Sequence, residues 1–161
     1  MRGSKVALFL STFTNKVDKK GRVSVPASFR AAMVGQGWAG IIAFPSFVNA
    51  CVEGCDVTYM ERLTQSIDQF AVFSEEHEAF VTWTLSKAHQ LPFDSEGRIV
   101  LPQKLVEHAE IDGQVTFVGR GKTFQLWEPA AYEVFEAKQR EIALRERGKL
   151  RLPPLIGGEV A

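Results

Sequence analysis

The stretch DKKGRVSVP at residues 18–26 returns as DSEGRIVLP at residues 94–102, 76 positions further along the chain. Asp, Gly, Arg and Pro recur in register, and the three positions between Arg and Pro are mostly apolar in both copies. Asp at the first and Gly at the fourth position of DKKG and DSEG are typical of a type I turn. A repeat of this length indicates two copies of one small unit, each presenting the same loop on a folded scaffold.

The elements predicted around the two loops follow one plan. Residues 6–13 and 89–93 read as strands leading into the turns, and residues 22–25 and 98–101 as return strands, so each loop is predicted at the tip of a hairpin. Pro26 and Pro102 then suit the start of a short helix, where a missing N–H needs no partner. Further strands are predicted over residues 41–44, 49–53, 115–118 and 123–127.

Two helices are predicted between the units. Thr58 and Glu61 form a capping box at the start of one, and Ser74 is a plausible cap for the other. The predicted organisation is a first unit at residues 1–57, linking helices at 58–86, a second unit at 87–128, a C-terminal helix at 129–152 and a flexible tail at 153–161. Each unit is too small to fold alone, so we expect the two to share one β-rich α+β core with helices around it.

Composition excludes several classes of protein. A chain of 161 residues with 45% hydrophobic content can bury a core, but it holds no apolar stretch long enough for a bilayer, and no signal peptide is recognisable. Cys51 and Cys55 have no neighbouring His or further Cys to complete a zinc site. Phosphate-cradling and nucleophile motifs are missing from the sequence. We therefore expect a cytoplasmic protein that is not an enzyme, with no metal or other cofactor, no small-molecule substrate and no membrane partner.

The net charge of zero conceals an uneven distribution. Basic residues outnumber acidic ones by six in residues 1–30, whereas acidic residues outnumber basic ones by six in residues 31–80. The basic segment includes Lys16, Lys19, Lys20 and Arg22, at the first repeated loop. Positive charge on a presented loop indicates a polyanion partner. An ordinary solvated face remains the alternative interpretation.

The residue types of the loops suit contact with DNA. The planar fork of arginine, at Arg22 and Arg98, can bond phosphate or a guanine edge with two donors. Lysine offers phosphate a point charge without reading sequence. For Arg22 and Arg98 a purely structural ion pair with the loop aspartate stays open. The remaining motif residues are expected to shape the turns, the carboxylates by accepting backbone N–H groups and the glycines by allowing close approach: Asp18, Gly21, Asp94 and Gly97.

The two Asp-x-x-x-Arg loops, each followed by a short apolar run and a Pro that opens a helix, resemble the AbrB/SpoVT-type swapped-hairpin fold. Two copies about 75 residues apart, joined by helices and continuing to the Gln125–Glu128 segment, are similar to the MraZ family. The resemblance implies a duplicated swapped-hairpin β-barrel core with linking helices and a C-terminal helix. It also implies that Arg22 and Arg98 contact DNA and that Asp18 and Asp94 are the motif aspartates.

That resemblance further implies a transcriptional repressor of the division and cell-wall gene cluster, associated with the nucleoid. Its partners would be double-stranded operator DNA with direct repeats and further copies of itself in a ring. Acidic linking helices could meet the basic end of the last helix in a neighbouring subunit, although ordinary solvated surface is an alternative. The competing function is an antitoxin-like or scaffold protein that uses the fold for protein–protein assembly. Lys19 and Lys20 stand where the second loop has Ser95 and Glu96, so equal roles for the two loops are in doubt.

Overall fold

The computed structural model describes residues 8–156 and has the α+β fold predicted from the sequence. The strands are β1 Thr12–Lys16, β2 Arg22–Ser24, β3 Gly40–Pro45, β4 Val52–Cys55, β5 His89–Pro92, β6 Arg98–Val100, β7 Gln114–Gly119 and β8 Phe124–Trp127. The helices are α1 Ala27–Ala32, α2 Val57–Ile67, α3 Glu75–Trp83, α4 Gln103–Ala109 and α5 Pro129–Glu146, with 3-10 turns at Leu85–Lys87 and Arg147–Lys149. The chain divides into two compact regions, one that ends at Pro129 and one that begins at Ala130.

Six strands form one antiparallel sheet in the order β1-β7-β8-β4-β3-β5. Strands from before and after the linking helices alternate in it, since β7 and β8 lie between β1 and β4. The two remaining strands, β2 and β6, pair with each other in a separate antiparallel ladder. Within the described residues, no helix is both long and apolar enough to cross a membrane.

The hairpin prediction at the two loops is wrong in its pairing. Both turns form, but the strands on either side of each turn separate: β1 joins β7 and β5 joins β3, whereas β2 and β6 join each other. At the first loop a single bridge, between Val17 and Val23, remains of the expected hairpin. Pairing β2 with β6 directs Val23 and Ile99 inward together, and each is only 1% exposed. Burial of these apolar side chains favours the exchange.

The first strand also begins later than predicted. Ser11 has a φ of 74°, a left-handed conformation that interrupts an extended strand, and β1 starts at the next residue. Before this break, Phe9 pairs with Gly121 in an isolated bridge. Residues 6 and 7 of the predicted strand, and residues 157–161 of the predicted tail, lie outside the described residues.

The main core combines aliphatic side chains with phenylalanine rings, contributed by the sheet, α1, α4 and the β2–β6 ladder. Phe29 of α1 is fully buried, and its ring centroid lies 5.3 Å from that of Phe9, 6.3 Å from Phe117 and 5.2 Å from Phe124. All six residues of β3 are buried because the sheet is covered on both faces. Ile41 contributes to this main core, whereas the next residue, Ile42, packs in a second cluster with residues of α2.

The two linking helices start where their caps allow. Asp56 rather than the predicted Thr58 caps α2, since its Oδ1 accepts the backbone N–H of Tyr59 at 2.8 Å. Asp56 has the extended backbone that a cap requires, which places Thr58 inside the first turn. Ser74 caps α3 as predicted, with its hydroxyl oxygen accepting the backbone N–H of His77 at 3.2 Å.

The aromatic core predicts the effect of one added methyl group. A Cβ at Gly54 of β4 would overlap the ring of Phe124 on the neighbouring strand, and that ring is fully buried. We expect Gly54→Ala to lower the free energy of unfolding by about 1–3 kcal/mol, the usual effect of overpacking. Urea denaturation measures the change. Gly148→Ala is the control, because nothing lies within 4 Å of an added Cβ there; equal stability of the two variants would contradict the packing argument.

Candidate nucleic-acid interface

The first repeated loop is closed by Asp18. Its Oδ1 accepts the backbone N–H groups of Lys20 and Arg22, each at 2.9 Å, and its Oδ2 accepts the Arg22 side-chain Nε–H at 2.6 Å. Gly21 donates its N–H to the Asp18 carbonyl at 3.0 Å and has a φ of 82°. That conformation favours glycine. One carboxylate therefore fixes both the turn and the stem of its arginine.

The second loop repeats this arrangement bond by bond. Asp94 Oδ1 accepts the backbone N–H groups of Glu96 at 2.8 Å and Arg98 at 2.9 Å, and Oδ2 accepts the Arg98 Nε–H at 2.7 Å. Gly97 donates to the Asp94 carbonyl at 3.0 Å with a φ of 76°. One contact is added, because Arg98 Nη2 also donates to Glu96 Oε2 at 3.2 Å. The repeat in the sequence is thus a repeat of one hydrogen-bonded turn.

The β2–β6 ladder joins the two loops into one ribbon, which comprises residues 18–25 and 94–101. The N–H of Leu101 donates to the Gly21 carbonyl at 2.9 Å, and the N–H of Val25 donates to the Gly97 carbonyl at 3.1 Å. Arg22 lies opposite Val100, and Ser24 lies opposite Arg98. Because side chains alternate along a strand, these four residues share the face of the ribbon that is turned away from buried Val23 and Ile99. Both arginines therefore occupy diagonal positions on one outward face.

The hydrogen bonds within the loops shift the pKa values of their charged groups. The bond from the Arg22 backbone N–H contributes most to lowering the pKa of Asp18, and that from the Arg98 backbone N–H does the same for Asp94. A lowered pKa means that each carboxylate stabilises its loop at neutral pH and loses this effect as the pH falls through that pKa. The hydrogen bond to Asp94 is the main cause of the raised pKa of Arg98, with a smaller contribution from Asp18 across the ladder.

The structure places the predicted lysines beside the first loop. Lys16 ends β1, and Lys19 and Lys20 occupy the middle of the turn; all three side chains are exposed. Within residues 8–156 none of them forms an ion pair. The corresponding turn positions of the second loop hold Ser95 and Glu96, so the loop residues 18–22 carry a net charge of +2 and residues 94–98 a net charge of −1.

The sequence analysis counted one further basic residue, Arg30, among the charges but assigned it no role. Arg30 of α1 donates its Nε–H to the carbonyl of Val25 at 3.1 Å, and its side chain covers Gly97 of the second loop. The signal in the sequence was a difference between the repeats: the offset of 76 pairs Arg30 with Val106, which is uncharged.

The described part of the chain offers little support for a metal site or a reactive thiol. Among residues 8–156, no group of three or more His, Cys, Asp or Glu side chains could hold a metal ion. Cys51 and Cys55 are buried free thiols, and burial is the main cause that raises the pKa of each to about 12. Such thiols are small core residues rather than reactive groups.

Comparison with known proteins identifies relatives of this chain. Residues 84–152 match a family model described as "MraZ protein, putative antitoxin-like". A protein of Pelagibacter ubique named transcriptional regulator MraZ is 49% identical over 144 residues, which cover 89% of this chain and 93% of that protein. Proteins of the same name from Rickettsia canadensis and Rickettsia bellii are 45% identical, covering 89% of this chain and 97% of theirs. These relatives are named as regulators rather than enzymes, and the chain belongs to the MraZ family.

Proposed function

We propose that this protein is a sequence-specific DNA-binding transcription regulator, acting as a repressor of the division and cell-wall gene cluster on nucleoid DNA in the cytoplasm. The observation that carries the proposal is the ribbon, where two matching Asp–Arg turns present Arg22 and Arg98 on one exposed face. The names of the relatives support the regulatory role. We further propose that its operator contains direct repeats.

A two-stranded ribbon that carries arginine donors is a form that the major groove admits. That groove is about 12 Å wide and admits a two-stranded β-ribbon. Asp18 occupies only the Nε–H of Arg22, and among residues 8–156 neither terminal nitrogen of Arg22 has a hydrogen-bond partner. The ion pair and a DNA contact are therefore compatible: the carboxylate aims the side chain while the terminal nitrogens stay available for two-donor bonding to guanine or phosphate.

The two loops are proposed to divide the work unequally. Lys16, Lys19 and Lys20 would contact phosphate beside the first loop and add affinity for any sequence. In the second loop Glu96 accepts a bond from a terminal nitrogen of Arg98 and competes for that donor. Arg22 is consequently the stronger candidate for a base contact.

The ribbon also fits the duplicated swapped-hairpin plan that the resemblance implies. We propose the unit boundaries predicted from the sequence, with residues 1–57 and 87–128 as the two copies. In this plan each copy supplies one strand to the β2–β6 ladder and further strands to the shared sheet. Neither copy could then present its loop without the other, which accounts for the presence of both in one chain.

Assembly into a ring is the remaining part of the proposal, and exposed apolar surface supports it. Phe47 stacks with Trp83 at 6.1 Å between ring centroids, and both rings are partly exposed. Phe73, in the turn between α2 and α3, is 88% exposed. Exposed apolar patches of this kind mark protein–protein contacts. The complementary surface would be the end of the chain, where exposed leucines alternate with basic residues: Lys149, Leu150, Arg151, Leu152 and Leu155.

Charge complementarity favours a contact between copies. The first turn of α3 holds Glu75, Glu76 and Glu78, which would face the basic chain end of a neighbouring subunit. A contact between two different surfaces closes into a ring when the rotation permits. The same exposed surface also suits the alternative function, an antitoxin-like or scaffold protein that binds another protein. The description of the family model as antitoxin-like supports that alternative. DNA binding by the ribbon separates the two functions.

The difference between the two loops predicts that their arginines contribute unequally to operator affinity. We expect Arg22→Ala to weaken operator binding by about 1–3 kcal/mol, and Arg98→Ala to weaken it less, because Glu96 already occupies one donor of Arg98. A mobility shift with the duplex directly upstream of the protein's own reading frame measures both. Arg62→Ala is the matched control, since Arg62 is exposed on α2 and lies outside the ribbon. Equal losses for the two loop variants would contradict the division of work.

Assembly predicts that the oligomer binds the direct repeats of the operator, called boxes here, cooperatively. Several loops on one oligomer bind a repeated operator far more tightly than one loop does, because the local concentration is high. We expect boxes spaced by about 10 bp, and deletion of all but one box should lower affinity more than any single base change. Light scattering should show a large oligomer for the wild type and a smaller particle for Phe73→Ser. Val34→Ser, at an exposed position between α1 and β3, is the control. A monomer that binds one box tightly would contradict the ring.

A further inference from the structure

Arg30 lies where the first unit touches the loop of the second. Its Nε–H donates to the carbonyl of Val25, and the N–H of Val25 donates in turn to the carbonyl of Gly97. The guanidinium of Arg30 packs directly on Gly97, because a Cβ added to that glycine would lie 2.7 Å from Arg30 Cζ and Nε. Gly97 is therefore buried although it belongs to an exposed loop.

The first loop has no such partner. A Cβ added at Gly21 would find the carbonyl oxygen of Leu101 at 3.6 Å and Cγ1 of Val100 at 3.7 Å, both ordinary contacts. The residue that matches Arg30 in the second unit is Val106, an uncharged side chain. The two repeats therefore differ at this position as well, and Arg30 lies beside the loop that lacks the lysines.

Charge gives this asymmetry a consequence. The second loop, with Asp94, Glu96 and Arg98, carries a net charge of −1 and would repel a phosphate backbone. Arg30 brings the local sum to zero. Its guanidinium shares an open recess of about 560 Å³ with Asp94 and Ser95, and among residues 8–156 its two terminal nitrogens have no hydrogen-bond partner. Both terminal nitrogens therefore remain available to an anion that approaches the second loop.

We propose that Arg30 is a DNA phosphate contact of the second loop, supplied by the helix of the first unit in place of the missing lysines. Gly97 keeps the space in which its guanidinium lies, and the Val25 carbonyl fixes its direction. This inference rests on the proposed function, since it adds a contact to the same ribbon. A phosphate contact strengthens binding to any duplex and releases counterions, whereas a base contact affects the operator alone.

The test compares salt dependence on two duplexes, the one upstream of the reading frame and an unrelated one of equal length. Arg30→Ala should weaken binding to both by the same factor and reduce the slope of log K against log salt by about 0.9 for each second loop that is engaged. Arg30→Lys keeps the charge and should retain most of the slope. Thermal melting establishes that each variant is folded.

Two glycine variants test the role of Arg30 independently, through the same salt slope. Gly97→Ala should displace the Arg30 guanidinium and lower the slope as Arg30→Ala does, with no further loss when the two are combined. Gly113→Ala has the same unfavourable positive φ, finds nothing within 4 Å of the added Cβ and lies outside the ribbon, so it should not lower the slope. An unchanged slope in folded Arg30→Ala, together with weaker operator binding by Arg22→Ala, would overturn this inference alone. A wild-type protein that binds neither duplex would overturn the proposed function as well.

Discussion

The pairing of β2 with β6 is the contact on which the described core and the candidate interface both depend. Three residues of each strand form the ladder, and a hydrogen bond at each end ties it to the opposite loop through Gly21 and Gly97. The inward residues, Val23 and Ile99, are buried in the aromatic core, whereas the outward residues include both loop arginines. Losing this ladder would therefore expose core side chains and separate the loops at once.

This dependence explains why the sheet alternates strands from the two halves of the chain. Once β2 and β6 pair with each other, β1 and β5 lose their neighbours across the turns and find partners elsewhere in the sheet. Phe29 then packs against Phe117 and Phe124 from the other half of the chain. Stability of either half is consequently tied to the other, and an isolated half would expose a large apolar surface.

The local features were predictable because nearby residues determine them. The Asp–Gly–Arg turns, the cap at Ser74 and most strand positions follow from turn chemistry and alternation, and the structure agrees. The α2 cap was misplaced because Asp56 and Thr58 are both good caps, and the backbone at Asp56 decides between them. The start of β1 was misplaced because nothing in its composition reveals the positive φ of Ser11.

Long-range features were beyond prediction from local pattern. The alternation of a three-residue strand shows which residues face the core but not which strand is its partner, so a hairpin and an exchanged ladder fit the same local pattern. Arg30 was missed for the same reason: it lies on a helix eight positions after Arg22, and only the fold brings it to Gly97. The local pattern thus locates the candidate loops, but it locates neither the ribbon that joins them nor Arg30, whose charge offsets the negative charge of the second loop.

The central claim is that the two loops act as one reading unit, and a double-mutant cycle on operator binding tests it most directly. Arg22→Ala, Arg98→Ala and the combined variant are titrated against the same duplex at one salt concentration. If the ribbon enters one groove, losing either arginine weakens the placement of the other, so the combined loss should fall short of the sum by about 0.5–3 kcal/mol. Losses that add within about 0.5 kcal/mol would contradict the account, because separate sites behave in that way.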